Sequence, residues 1–300
     1  MEDIFCPACE GKHSKQIFRR KNENNKIKMH ASGFSRGNRN LYKCKNCEMI
    51  FCYPMPQLEN LEESYSIESD FEFVSQNSSR ILTFTKHLKW LEKEMKLVKR
   101  EDQILDVGSA GGAFLEAARL LDISAEGLEI NPWLVNWGNS NYDIDLKVGN
   151  IGSIQNKAIN FKAISLWDVL EHLPNPQESL NVITSRIRKD GYLILSLPNT
   201  DSFTFRLMRW WWPMHLDVHL LYFNSNSIEK LMRKYNFELK CKKVNRQTLS
   251  LGYILIRVLK QLRILKDKNA LSTKLLTGWL SKVNITYSIG QTIFLFQNSK

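Results

Sequence analysis

One eleven-residue stretch constrains this chain more than any other: Ile104-Leu105-Asp106-Val107-Gly108-Ser109-Ala110-Gly111-Gly112-Ala113-Phe114. A short apolar run stops at glycine, and a strong helix former, Ala113 to Leu121, follows it. That is the pattern of a strand, a tight turn and a helix, and ligands bind beyond the carboxyl ends of such strands. A dinucleotide would bring pyrophosphate to the helix N-terminus, where the carboxylate of Asp106 would repel it. Strict dinucleotide spacing also fails, because Gly108 would demand glycine at Ala110. The loop therefore fits a phosphate-free ligand carrying positive charge. Glu129 closes the next strand, 21 residues after Gly108, where a carboxylate can accept hydrogen bonds from two ribose hydroxyls.

Around this loop the chain alternates. Ser124 to Ile130, Lys162 to Trp167 and Gly191 to Leu197 read as strands, with a helix from about Pro176 to Arg188 between the last two. Alternating strands and helices predict a parallel sheet covered on both faces, a Rossmann-like α/β fold. Two late strands follow, Phe237 to Lys243 and Gly290 to Gln297, with a helix from Ser227 to Tyr235 before them. A helical insertion over about 249–285 separates them. In that insertion Leu251, Ile254, Leu255, Val258, Leu259, Leu262 and Leu265 form the face expected to pack, with Arg257, Lys260, Gln261 and Lys268 facing away. Upstream, residues 58–100 read as helix through Phe84, Leu88, Leu91, Met95 and Val98. The expected domains are 1–56, 57–100 and 101–300.

Cys6-Pro7-Ala8-Cys9 and Cys44-Lys45-Asn46-Cys47 are two CxxC knuckles. Four thiolates at this spacing can close a tetrahedron around zinc and leave no open position for water, so a structural zinc ribbon is expected. Cys52 and Cys241 read as buried small hydrophobes. The net charge of +11 is concentrated in two flanks, Gly11 to Lys45 and Lys240 to Lys274. Such flanks attract anions, whether nucleotide-diphosphate substrates, anionic lipid headgroups or RNA, or serve only solubility. The ribbon lacks the interleaved aromatics of a base-stacking surface, which disfavours nucleic acid. The first residues carry no secretory pattern, and no apolar run reaches eighteen residues, so a cytoplasmic chain is expected. Trp210, Trp211 and Trp212 could stack on a sugar, touch an anionic membrane from the side, or pack as a lid.

The glycine loop resembles motif I of class I S-adenosylmethionine-dependent methyltransferases. Leu166-Trp167-Asp168-Val169-Leu170-Glu171-His172-Leu173-Pro174-Asn175-Pro176 resembles their fourth motif, and His219-Leu220-Leu221-Tyr222-Phe223-Asn224 is similar to the region after their fifth strand. The resemblance covers about residues 100 to 240. It implies an enzyme that uses S-adenosylmethionine, bound at Asp106, Gly108, Ser109 and Gly112, with Glu129 on the ribose, Asn150 at the adenine and Trp167 nearby. Asp168 is a further candidate for donor or acceptor. Ala110 departs from the family's middle glycine and Asn150 from its commoner acid. His219 is the first choice of general base, with His172 and His215 as the other candidates.

The ribbon, followed by Phe51-Cys52-Tyr53-Pro54-Met55-Pro56 and Ser64-Tyr65, resembles a subgroup that accompanies sugar, polysaccharide and natural-product pathways. The acceptor implied is an anionic small molecule or glycan. An RNA methyltransferase gripping phosphates with the basic ribbon, and a non-catalytic protein that binds the donor as a scaffold, are the alternatives.

Overall fold

The computed structural model describes residues 4–19, 40–56, 71–156, 160–261 and 278–299. The beginning of the expected helix at 58, Ser64-Tyr65, most of the basic stretch after Arg19, and Leu262, Leu265 and Lys268 lie outside the described residues.

Seven strands form the central sheet. Four were expected from the alternation: β4 (Gln103–Val107), β5 (Ser124–Glu129), β7 (Phe161–Trp167) and β8 (Ile187–Pro198). With β6 (Asp145–Val148), β10 (Phe237–Val244) and β13 (Gln291–Asn298) the order is β10-β13-β8-β7-β4-β5-β6. Strands β8 to β6 are mutually parallel, while β13 runs antiparallel to both β8 and β10. The Rossmann-like expectation holds, with a mixed rather than purely parallel sheet.

Side chains alternate across this sheet as the pleat requires. Leu105, Val107, Leu193, Leu195 and Leu197 pack on one face with Leu180 and Ile183 of α5 (Pro176–Ser185) and Ile228 and Leu231 of α7 (Ser225–Arg233). Ile104, Ile194, Ile293 and Leu295 pack on the other face. They meet Leu88, Leu91 and Met95 of α2 (Asn77–Met95) and Phe114 and Leu115 of α3 (Ala113–Arg119). Asp106 shares the parity of Ile104, so its carboxylate emerges on the α2 side.

The helix α2 is shorter than the periodicity implied. A separate turn, α1 (Phe71–Val74), precedes it, and Lys96 adopts a left-handed conformation (φ 49°) that ends it. Val98 therefore lies past the helix and is half exposed.

Three N-terminal strands, β1 (Ser14–Phe18), β2 (Leu41–Cys44) and β3 (Ile50–Cys52), form a small antiparallel sheet with β9 (Leu221–Tyr222). Ile50 pairs with Tyr222 and Phe51 with Leu221. Cys6, Cys44, Met49 and Phe51 consequently belong to the same apolar cluster as Leu195 and Phe294 of the central sheet. Polar ties reinforce the contact: Asn224 Nδ2 donates to the Cys47 carbonyl at 3.1 Å, and Gln177 Nε2 to that of Pro7 at 3.0 Å.

The insertion between β10 and β13 differs from the all-helical expectation. It opens with β11 (Gln247–Ser250), which pairs antiparallel with β12 (Asn284–Tyr287), and its helix α8 spans Leu251–Gln261. The buried side chains of α8 include Tyr253 and Ile256, while Val258 of the expected packing face is exposed. Lys260, expected to face away, instead meets Glu72 at 2.7 Å. Among the described residues no helix is long and apolar enough to cross a membrane.

Candidate functional site

The carboxyl ends of β4, β5 and β7 open into a cavity of about 390 Å³, lined on its other side by residues of α2 and the insertion. Its floor is the glycine loop. Gly108 (φ 75°) and Gly112 (φ 74°) take left-handed conformations, and a Cβ on Gly108 would stand 2.6 Å from Val169 Cγ2. Glycine there is a geometric requirement. Ala110 also adopts φ 46°, at a cost of about 1–2 kcal/mol for an L-residue.

Asp106, Ser109 and Glu129 line the cavity and are buried. Asp106 Oδ1 accepts from Ser165 Oγ at 2.6 Å and Oδ2 from Ser109 Oγ at 2.7 Å; Ser165 is its neighbour in the β4–β7 register. Burial nonetheless pushes the Asp106 carboxyl up to about 7. Glu129 accepts the Ala110 N–H at 2.8 Å on Oε2 and the Asn131 N–H at 2.9 Å on Oε1, and burial raises it too. Each oxygen keeps a further lone pair for a ligand hydroxyl.

Trp167 leans into the cavity, edge-on to Phe84 at 5.1 Å and stacked on His87 at 5.7 Å, and its buried Nε1–H has no hydrogen-bond partner. Asn150 sits at the exposed rim, its Oδ1 accepting from the Ser153 amide at 3.2 Å. Asp168 holds a left-handed backbone (φ 57°) and accepts from Ser196 Oγ at 3.1 Å and Gln291 Nε2 at 2.6 Å. Burial raises it to about 6.

Two of the three histidines reach the cavity. His172 Nδ1 donates to the Val218 carbonyl at 2.9 Å and His219 Nδ1 to that of Met214 at 2.7 Å, with the rings 4.9 Å apart. A carbonyl can only accept, so Nδ1 carries the proton in each and Nε2 keeps its lone pair. Burial depresses both, His172 to about 4 and His219 well below the ordinary value. His172 also interacts with the Asp168 backbone, which favours His219 as the ring left for chemistry.

Two expected residues are not at the cavity wall. His215 is packed between Trp210 (5.2 Å) and Tyr222 (5.0 Å), on tight turns after Trp212 that keep its ring out of the cavity lining. Gly112 lies behind the loop, and Gly111 takes the lining position. Of the three tryptophans, Trp212 is buried while Trp210 and Trp211 are exposed.

Sequence reasoning missed the roof. Asn77, Arg80, Phe84 and His87 of α2 form a stripe three or four residues apart that faces the cavity. Asn245, Gln247, Arg257, Tyr287 and Gln291 arrive from the insertion and its flanks. The α2 stripe was visible in principle as a polar line beside Leu88 and Leu91; the insertion residues carry no local pattern.

The knuckle cysteines converge at the end of the small sheet where β2 turns into β3. Cys6 Sγ and Cys47 Sγ lie 3.6 Å apart, as do Cys9 Sγ and Cys44 Sγ, and all four sulfurs fall within 4.8 Å of one another. Bonds of about 2.3 Å to one zinc would put sulfurs about 3.8 Å apart, so the set fits a tetrahedral ion. The sulfur separations are far too long for a disulfide. The Asn46 N–H and Nδ2 point at Cys44 Sγ (3.3 Å) and Cys9 Sγ (3.4 Å), orienting the thiolates. The hydrogen bond from Cys47 holds Cys6 down at about 5 and pushes Cys47 up.

Known proteins match parts of the chain. Ubiquinone biosynthesis O-methyltransferase from Xanthomonas axonopodis pv. citri is 27% identical over 111 residues, 35% of this chain and 46% of the relative. The enzyme of that name from Coxiella burnetii is 26% identical over 119 residues, 38% of this chain and 50% of the relative. The match thus spans about half the length of these curated relatives. Among solved structures, a SAM-dependent methyltransferase from Archaeoglobus fulgidus aligns with a TM-score of 0.49 at 13% identity, covering 76% of this chain and 100% of that one. Magnesium protoporphyrin IX methyltransferase from Synechocystis, with bound SAH, aligns at 0.48 and 11%, covering 77% and 89%. Residues 76–242, more than half the chain, match the methyltransferase-domain family, and the chain belongs to that family.

Proposed function

We propose that this chain transfers a methyl group from S-adenosylmethionine to a hydroxyl of a small-molecule or glycan acceptor. The observation that carries the reading is the placement of Asp106 and Glu129, two buried carboxylates flanking the glycine loop at one end of a single cavity. A cofactor with an ammonium, a sulfonium and a ribose, but no phosphate, suits that pair. When bound, it supplies a methyl group already activated by positive sulfur.

The chain's own part is alignment, exclusion of water and proton removal. Asp106, with Ser109 and the Gly108 backbone, holds the amino-acid end, while Glu129 takes the ribose hydroxyls. Asn150 at the rim meets the base, and the unpartnered Trp167 N–H is a donor within reach of the bound cofactor. Phe84, Phe114 and Trp167 keep water from the reacting centre. His219 Nε2 would accept the acceptor's hydroxyl proton as that oxygen takes the methyl group and the sulfur–methyl bond breaks, the donor leaving as the neutral thioether.

An oxygen acceptor is supported by the name of the O-methyltransferase relatives. The sugar or glycan class is supported by the ribbon, whose β3 pairs with β9 directly after His219. A structural zinc on Cys6, Cys9, Cys44 and Cys47 is part of the same proposal.

Calorimetry of the full chain with S-adenosylmethionine, its demethylated product and a pyridine dinucleotide tests this, alongside metal analysis. We expect both adenosyl compounds to bind and about one zinc per chain. Asp106→Asn should weaken the donor about 10- to 100-fold through loss of a charged hydrogen bond. Binding of the dinucleotide alone would end the proposal.

A further inference from the structure

Between β8 and β9 the chain turns hydrophobic residues outward. In α6 (Phe203–Met208) Phe203 is 77% exposed and Leu207 70%, and Met208 and Trp210 also face solvent. Single exposed apolar residues are ordinary, but four large ones within eight positions make a patch. Residues 203–212 also hold Arg206 and Arg209, both exposed, and no acid.

The segment is rooted in the fold. Phe205 and Trp212 meet edge-on at 5.1 Å, Trp212 is buried, and its Nε1–H donates to the Ile289 carbonyl. Ser202 Oγ caps α6 by accepting from the Phe205 amide at 3.2 Å. Positive charge is tied to the same place. Phe18, at the end of β1, has its ring 5.3 Å from Trp210 and pairs with Leu41, the first residue of β2. Residues 19–40, which join the two strands, therefore leave and rejoin the fold beside the patch, and they hold seven Lys or Arg against Glu23 alone.

We propose that this patch docks the chain on the surface of an anionic lipid bilayer. Aromatic and aliphatic side chains interspersed with arginine suit the headgroup boundary, with rings toward the acyl chains and guanidinium groups on lipid phosphates. The basic stretch adds attraction to a negatively charged surface. A partner protein would have to bring both an apolar socket and a set of acids, whereas an anionic bilayer supplies both at once. Met214, Leu216 and Val218 of the cavity lining follow directly in the chain, so docking would hold that wall of the cavity close to lipid. The surface would dock whether or not the chain transfers methyl groups.

The test sediments the full chain with vesicles of phosphatidylcholine alone and of equal parts phosphatidylcholine and phosphatidylglycerol. We expect at least about tenfold tighter binding to the mixed vesicles, weakening as salt rises from about 0.1 to about 1 M. Combining Phe203→Ser with Leu207→Ser should lower that affinity at least about tenfold while the salt dependence persists. Both side chains are exposed, so the thermal midpoint should not move. Equal binding to the two vesicle types, no binding to either, or a double variant that binds as tightly as wild type overturns the proposal.

Should the double variant not fold, wild-type tryptophan emission replaces it. Mixed vesicles made with brominated phosphatidylcholine should quench the exposed Trp210 on binding. Bound vesicles without quenching would mean that the basic residues alone hold the surface, and would overturn docking by the patch. Sedimentation equilibrium without lipid tests the protein occupant. A dimer that the double variant dissociates, with no vesicle binding, assigns the patch to a second copy of the chain and likewise overturns the proposal.

Discussion

The two ends of the cavity are built in opposite ways. The end with Asp106, Ser109 and Glu129 comes from consecutive strand ends, β4 and β5, with backbone amides and neighbouring serines as its partners. The end with His219, Arg257 and Tyr287 is assembled from segments that meet only in the folded chain. The first is fixed by backbone hydrogen bonding and changes little when side chains elsewhere are altered. The second depends on how α2, the insertion and the small sheet dock. Substitutions should therefore separate cleanly: one class acts on donor grip, the other on turnover or acceptor binding.

The sharpest way to break this division is His219→Gln. Removing the proposed base while keeping a neutral side chain of similar size should lower turnover about 10²- to 10⁴-fold. Donor affinity by calorimetry should stay at the wild-type value. A parallel loss of donor binding would mean that the two ends are mechanically one.

Next in size is a pH effect that isolates the donor end. Burial raises Asp106 to about 7, so the ligand-free fold carries its full penalty above that pH and is relieved as pH falls toward the ordinary carboxylate value. Asp106→Asn should accordingly stabilise the ligand-free chain at pH 8 by up to about 4 kcal/mol, and by progressively less toward pH 4. Thermal unfolding across that range reads the difference. His87, His172 and His215, each lowered to about 4 by burial, act in the opposite sense in both proteins. Their contribution is complete above pH 6.5 and is lost as pH falls through about 4. The comparison of variant with wild type removes that shared background.

The smallest effect concerns Ala110. Glycine relieves its left-handed strain but adds freedom to the unfolded chain, leaving a net stabilisation below about 1 kcal/mol. A denaturant midpoint shifted downward would show instead that the Ala110 methyl contributes packing.

Legibility in the sequence follows the same division. The strand, the glycines and Glu129 are local, and a carboxylate beside a glycine turn has few physical uses, so that end could be read directly. Arg257 was read the wrong way round because the aliphatic stripe of α8 looked like the packing face, yet the chain buries Tyr253 and Ile256 there. Periodicity identifies an amphipathic helix but not which neighbour its flanks will meet. His215 and His219 sit in a run of turns without regular spacing, so only the folded backbone separates the packed ring from the one at the cavity. The polar α2 stripe was overshadowed by Leu88, Leu91 and Met95 on the adjoining face.

The two-residue strand β9 has a consequence out of proportion to its length. It begins two residues after His219 and is stitched to β3, while the Leu220 amide donates to the Glu171 carbonyl and its carbonyl accepts from the Cys52 amide. The cysteine cluster and His219 are thus linked in series along one short stretch of backbone. On the proposed reading, a chain whose thiols were oxidised should go on sequestering its methyl donor while having no way to spend it.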